Sequence, residues 1–113
     1  MTDKEVLNAY ERTGGVLKGH FLLTSGRHSD TYMQSAKLFV HPEESAKIAA
    51  ALAEKLASYK PDMVVSPAVG GIILGYELAR ALGVTDIFAE RENGEMTFRR
   101  GFELAPGSRV VVA

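Results

Sequence analysis

The feature that most constrains the fold is a glycine pair in the stretch VVSPAVGGIILGYELARALG. Met63 to Ser66 have strand character, Pro67 to Gly71 form a bend, and a helix is predicted from Ile72 to Leu82, with Gly83 as its stop. Adjacent glycines at such a bend let backbone N–H groups approach an anion closely. A tight turn that serves only packing explains the spacing equally well. No Gly-Lys-Ser/Thr follows, so the bend is not a P-loop, and it does not match the dinucleotide fingerprint.

The residues before this bend predict two helices and an antiparallel excursion. Thr2 to Glu5 form a capping box for a first helix, which Gly14 and Gly15 stop. The segment GHFLLTSGRHSDTYMQSAKLF alternates in strand fashion on both sides of Ser25-Gly26. Pro42 then begins a second helix, which ends near Lys60-Pro61.

The residues after the bend predict further strands and a hairpin. Ile87 to Ala89 form a strand, and Asn93-Gly94 is a strong turn signal between Arg91-Glu92 and Met96 to Phe98. Arg109 to Ala113 form a last apolar strand. Strands that alternate with helices predict an α/β fold with a mainly parallel sheet and flanking helices. In such sheets, ligands bind in loops beyond the carboxyl ends of the strands. The last strand ends where such a loop is expected and none follows, so we expect the chain to be the front portion of a larger domain.

Composition excludes several classes of function. The chain has 113 residues, enough for one small domain, and a formal net charge of -1, which gives no general attraction to nucleic acid or to an acidic membrane. The absence of cysteine excludes disulfides and fits a reducing cytoplasm. No apolar run is long enough for a signal core or a membrane span. We therefore expect a cytoplasmic protein without nucleic-acid or membrane partners.

Other polar residues form no recognisable catalytic set. His20, His28 and His41 have no spacing that places two on one helical face, so no metal site is predicted. Ser25 and Ser66 lack histidine and carboxylate partners for a hydrolytic triad. The predicted hairpin carries three arginines among three glutamates. That pattern favours a solvated, charge-balanced ribbon, and its alternative is an arm that brings guanidinium groups to a phosphorylated ligand. These arginines are Arg91, Arg99 and Arg100.

Three segments in order resemble the N-terminal half of orotate phosphoribosyltransferase, within the type I phosphoribosyltransferase family. They are GHFLLTSGRHSDTYMQSAKLF, VVSPAVGGIILGYELARALG and FAERENGEMTFRRGFELAPGSRVVVA. The resemblance covers essentially the whole chain and implies a truncated domain of that fold. Residues 1–40 would be an N-terminal helix and a hood on the base side. Residues 41–113 would start the parallel-sheet core, with a flexible hairpin at 90–102.

The resemblance implies a pentosyltransferase of pyrimidine (UMP) biosynthesis. Its reaction moves phosphoribosyl from 5-phosphoribosyl 1-diphosphate to orotate, uses Mg²⁺ and gives orotidine 5′-phosphate. The active site would be shared within a homodimer. The acidic pair and Thr-Thr-Gly loop that follow the last strand in the family are not in this sequence, so we expect no catalysis by this chain alone.

Site residues carry over by position from the same resemblance. Contacts to the pyrimidine fall on Thr24, Met33 and Gln34, and the diphosphate loop comprises Pro67, Ala68, Val69, Gly70 and Gly71. Arg91 corresponds to a catalytic arginine at the start of the flexible loop.

The chain also departs from the family pattern. Many members carry lysine at the positions of Gly70 and Thr24, and lysines with a histidine after the loop arginine. Arg99 and Arg100 are therefore expected to supply the missing positive charge. Two other interpretations stay open. One is a phosphoribosyltransferase for a purine base, and the other is a non-catalytic regulator or dimerisation fragment of this family.

Overall fold

Four α-helices and six strands form the computed structural model, which describes all 113 residues. The first elements are α1 (Asp3–Arg12), β1 (Val16–Leu22), β2 (His28–Met33), α2 (Ser35–Phe39) and α3 (Pro42–Leu56). They are followed by β3 (Met63–Pro67), α4 (Ile72–Leu82), β4 (Thr85–Glu92), β5 (Glu95–Thr97) and β6 (Val110–Val112). No helix combines the length and the apolar character that crossing a membrane requires.

Two compact units divide the chain, Met1–Glu44 and Ser45–Ala113. In the first unit, the predicted capping box is confirmed. The Thr2 hydroxyl accepts from the Glu5 N–H at 3.2 Å, and the Glu5 carboxylate accepts from the Thr2 N–H at 2.6 Å. These two bonds satisfy N–H groups that a helix start leaves without intrahelical partners. The hydrogen bonds from Thr2 also lower the pKa of Glu5.

The predicted antiparallel excursion is also confirmed, as the hairpin of β1 and β2. Its turn is closed by the Leu23 N–H, which donates to the Arg27 carbonyl at 2.8 Å. The prediction that strand structure continues to the end of the segment GHFLLTSGRHSDTYMQSAKLF is wrong, however, because residues 35–39 form α2. Consecutive Leu38 and Phe39 are both buried there, and five residues are too few for periodicity to separate a helix from a strand.

In the second unit, four strands lie in the order β5-β4-β3-β6. β3 pairs in parallel with both β4 and β6, whereas β4 and β5 are antiparallel. The mainly parallel sheet is therefore confirmed. Its core joins α3 and α4 to the sheet through Ala49, Ala53, Val64, Leu78 and Ala79.

The helix and strand boundaries predicted from the sequence are accurate for some elements of this unit and wrong for others. α4 spans the predicted residues, and Asn93 and Gly94 both have positive φ at the predicted hairpin turn. The predicted strand at residues 87–89 and the first arm of the hairpin are instead one continuous strand, β4. α3 ends at Leu56, before a short 3₁₀ turn at Ala57–Tyr59.

Candidate functional site

The bend between β3 and α4 lies open at the carboxyl edge of the sheet. Its shape is held by three backbone hydrogen bonds, from Ala68 to Ala89 at 2.7 Å, from Gly71 to Pro67 at 2.9 Å and from Ile72 to Val69 at 3.2 Å. The Ala68–Val69 peptide bond is cis. The Val69 side chain is 82% exposed, and no side chain covers the bend there.

Two N–H groups of this bend, those of Val69 and Gly70, make no hydrogen bond within the chain. Both precede the first turn of α4, an eleven-residue helix whose N-terminal end carries partial positive charge. Backbone donors at such a position favour an anion. The bend therefore has free donors and open space, as a phosphate-binding loop requires.

The two glycines of the bend differ in the space around them. A Cβ on Gly71 would lie 2.7 Å from the Pro67 side chain and 2.9 Å from the Ala113 carbonyl oxygen, so only glycine fits without movement. A Cβ on Gly70 would meet nothing within 4 Å. Gly71 is thus explained by packing, whereas Gly70 leaves space above the backbone that a side chain would fill.

The parallel pairing of β3 with β4 brings the hairpin at residues 90–102, called the arm below, to the same edge of the sheet as the bend. Pro67 of β3 lies opposite Ala89 of β4, and β4 continues for three more residues, roughly 10 Å, into the hairpin. Arg91, the proposed catalytic residue, is therefore two residues beyond the strand position that holds the bend. Its guanidinium donates to the Gly94 carbonyl at 2.9 Å and braces the turn.

The other two predicted arginines already have carboxylate neighbours. Arg100 donates to both oxygens of Glu90, from Nε at 2.8 Å and from Nη2 at 3.0 Å. Arg99 lies 3.8 Å from a carboxylate oxygen of Glu92. Before any ligand binds, the arm is therefore an internally paired ribbon.

The residues predicted to contact the pyrimidine lie in the first unit, at the two ends of one hairpin. Met33 pairs with Val16 at the open end, and the Gln34 N–H donates to the Gly15 carbonyl at 2.7 Å. Thr24 lies in the turn at the other end, roughly 15–20 Å along the ribbon. The hairpin thus keeps Met33 and Gln34 together and Thr24 apart from them.

Sequence reasoning missed a buried polar group beneath α4. Ser66 is 1% exposed, and neither its Oγ nor the Asp86 Oδ1 has a hydrogen-bond partner. A Cβ on Gly75 would lie 2.7 Å from the Ser66 Oγ and 3.1 Å from the Asp86 Oδ1, so this glycine makes room for both oxygens. Burial raises the pKa of the Asp86 carboxyl. The sequence signal that could have revealed this group is Gly75, a glycine inside an amphipathic helix.

The structure also pairs two histidines that seemed scattered along the chain. The His20 Nε2 lies 2.7 Å from the His28 Nδ1 across the β1–β2 hairpin, where the register shifts between Lys18 and Phe21. Helical spacing does not reveal a pair that forms across strands. No group of three or more histidine, aspartate or glutamate side chains is arranged to hold a metal ion.

Comparison with known proteins gives relatives along nearly the whole chain. No family model matches. Orotate phosphoribosyltransferase of Caldanaerobacter subterraneus subsp. tengcongensis is 52% identical over 112 residues, which cover 99% of this chain and 59% of that protein. The chain thus spans about three-fifths of the length of this relative, and the match is to its N-terminal portion.

Solved structures show the same fold at lower sequence identity. Leishmania donovani UMP synthase superimposes with a TM-score of 0.80 at 23% identity, over 99% of this chain and 24% of that one. Mycobacterium tuberculosis orotate phosphoribosyltransferase, in complex with inorganic phosphate, gives 0.67 at 24% identity, over 96% and 61%. The predicted fold class, an α/β type I phosphoribosyltransferase fold in truncated form, is confirmed.

The two glycines give a first test. Gly71→Ala is expected to destabilise the chain by about 1–3 kcal/mol, because its Cβ would overlap backbone and proline atoms. Gly70→Ala should change stability by less than about 0.5 kcal/mol. Urea unfolding of both variants measures this difference, and equal losses would contradict the packing role assigned to Gly71.

Asp86 gives a pH-dependent test. Its folded-state pKa is raised above the ordinary value of 3.8, so the charged form costs stability at neutral pH, and the cost disappears as the pH falls below 3.8. Asp86→Asn should therefore raise the melting temperature at pH 7 and leave it unchanged at low pH. The exposed Asp30→Asn serves as control. A stabilisation that does not depend on pH would contradict this account.

Proposed function

We propose that this chain, similar along 99% of its length to the N-terminal part of orotate phosphoribosyltransferase, forms the corresponding part of such an enzyme. The reaction breaks the bond between the ribose C1 and diphosphate in 5-phosphoribosyl 1-diphosphate. A nitrogen of orotate forms the new bond to C1 and gives up its proton to the surrounding water, and diphosphate leaves with the electron pair of the broken bond. The product is orotidine 5′-phosphate, a precursor of UMP.

The observation that carries the proposal is the open bend with its two unused N–H groups, at Val69 and Gly70. A departing diphosphate gains negative charge in the transition state. Donors that are already oriented stabilise that charge without reorganisation. Pro67 to Gly71 are therefore assigned to the diphosphate, and the position of Arg91 at the same edge of the sheet suits a cation for the same group.

The remaining assignments rest on the resemblance. By this resemblance, Met33 and Gln34 are assigned to the pyrimidine, and Thr24 is assigned to the same side of the site, although it lies at the other end of the hairpin. Mg²⁺ is proposed to enter with the phosphate oxygens of the substrate, because this ion is usually held by one or two carboxylates together with substrate phosphates. The chain itself gathers no set of three or more metal-ligating side chains.

A cytoplasmic homodimer with a shared active site belongs to the same proposal. Apolar side chains on the outer face of α4 are compatible with an interface, since Ile73 is 46% exposed and Tyr76 is 62% exposed. Sedimentation equilibrium should show self-association of the chain at micromolar concentration. A monomer throughout that range would remove the dimer from the proposal.

The test of the proposed function is binding without turnover. The purified chain should bind inorganic diphosphate weakly, with a dissociation constant on the order of 1 mM, and the amide signals of Val69 and Gly70 should shift in an NMR titration. It should not convert orotate, because two-fifths of the relatives' length is not part of this chain. A parallel titration with sulfate shows whether the bend binds anions in general.

Gly70→Lys sharpens the test, because the position has room for a side chain. An added ammonium group near the bend should tighten diphosphate binding by roughly fivefold to tenfold at low salt. Gly70→Gln, of similar length but uncharged, is the matched control. Unshifted amides at the bend, or equal effects of lysine and glutamine, would contradict the diphosphate site, and turnover by the chain alone would contradict the predicted inactivity.

A further inference from the structure

The arginines of the arm differ in how strongly they are committed to partners within the chain. Arg100 makes a bidentate pair with Glu90, whose side chain is only 18% exposed. Bidentate arginine–carboxylate pairs combine strong hydrogen bonds with fixed geometry. The interaction lowers the pKa of Glu90 and raises that of Arg100.

Aromatic contacts hold the same guanidinium from another side. The Arg100 guanidinium carbon lies 5.6 Å from the centre of the Phe88 ring, within the range of a cation–π contact. Phe88 in turn meets Phe102 edge to face, with 5.3 Å between ring centroids. One side chain of the arm is therefore attached to β4 by a carboxylate and by an aromatic pair.

The backbone at this point adopts a conformation that depends on such contacts. Arg100 has a φ of 62° and Gly101 a φ of 74°, and the Phe102 N–H donates to the Arg99 carbonyl at 3.2 Å. A residue other than glycine seldom occupies the left-handed region. The pair with Glu90 is an interaction that offsets this cost.

Arg99 is bound much less firmly than its neighbour. Its one close carboxylate oxygen, on Glu92, is 3.8 Å away, and the two side chains are 53% and 54% exposed. An exposed ion pair of this length contributes little to stability. A ligand therefore displaces little when it recruits Arg99, whereas recruiting Arg100 would break two short hydrogen bonds and leave the largely covered Glu90 carboxylate unpaired.

We infer that the two adjacent arginines have separate roles, with Arg99 as a residue that binds a phosphate group and Arg100, through Glu90, as a positioning residue for the arm. The role of Arg99, which is the ligand half of this inference, rests on the proposed function. The role of Arg100, which is the structural half, does not. It revises the expectation that both arginines supply charge to the ligand.

Hydrogen exchange tests the structural half without any ligand. Glu90→Gln and Arg100→Ala should each speed amide exchange at residues 97–102 by roughly fivefold or more, and the charge-swapped double variant, Glu90→Arg with Arg100→Glu, should recover part of that protection. Glu92→Gln is the matched control and should change exchange less than about twofold. Unchanged exchange in Glu90→Gln would overturn the positioning role.

Titration with inorganic diphosphate tests the ligand half. Arg99→Ala should weaken binding roughly tenfold, as expected for the loss of a hydrogen-bonded charge, and Arg100→Ala by no more than about threefold. The exposed Arg80→Ala is a control outside the arm. If Glu90→Gln instead tightens binding and Arg100→Ala abolishes that gain, Arg100 is a ligand residue and the assignment is overturned.

The two proposals fail in different ways. If diphosphate shifts the amides of the bend but Arg99→Ala binds it as tightly as the unaltered chain, only the role of Arg99 is lost. If diphosphate binds nowhere, both the diphosphate site and the Arg99 assignment are overturned, and the exchange data alone decide the role of Arg100.

Discussion

The parallel pairing of β3 with β4 is the constraint on which the candidate site depends. It sets Pro67 opposite Ala89, and the Ala68 N–H then extends the ladder by one more hydrogen bond to the Ala89 carbonyl. Because parallel strands end at the same edge, the bend after β3 and the arm that continues β4 emerge side by side. β6 joins that edge as well, since the Ala113 N–H donates to the Val65 carbonyl at 3.0 Å. The bend and the arm are thus brought to one edge of the sheet by main-chain hydrogen bonds rather than by contacts among the candidate functional side chains.

Arg99 and Arg100 each have a carboxylate partner within the arm, so neither arginine needs an external counterion in the unliganded protein. Glu90 and Glu92 point to Arg100 and Arg99, and the pairings differ in length and in exposure. The difference matters more than the net charge, because a pair held by two short hydrogen bonds resists competition from a ligand better than one long, exposed ion pair does. A ribbon that composition describes as charge-balanced therefore contains one firmly held cation and one that is readily displaced. In the proposed assignment, the structural interpretation applies to Arg100 and the ligand-binding interpretation to Arg99.

Much of the fold was predictable where local chemistry decides the backbone. The capping box at Thr2, the turn at Asn93-Gly94 and the bounds of α4 follow from hydrogen bonds and φ preferences within a few residues, and the structure confirms them. The predictions that were wrong concern α2 and the extent of β4, where burial and pairing with distant residues override short patterns. In the candidate site, the glycine bend was visible in the sequence. The Ser66–Asp86–Gly75 group was not, because it needs the register of two strands and the position of a helix above them.

The sequence by itself determined that a strand, a glycine bend and a helix follow one another, and that a charge-balanced hairpin with three arginines comes later in the chain. Glycine, proline and capping residues act on their own dihedral angles and nearest hydrogen bonds, so their effects are legible without a structure. Tertiary structure alone decided which glycine is needed for space, which N–H groups stay free and which arginine is already paired. Those properties depend on atoms of residues that are not sequence neighbours, and strand register and packing set the distances between them.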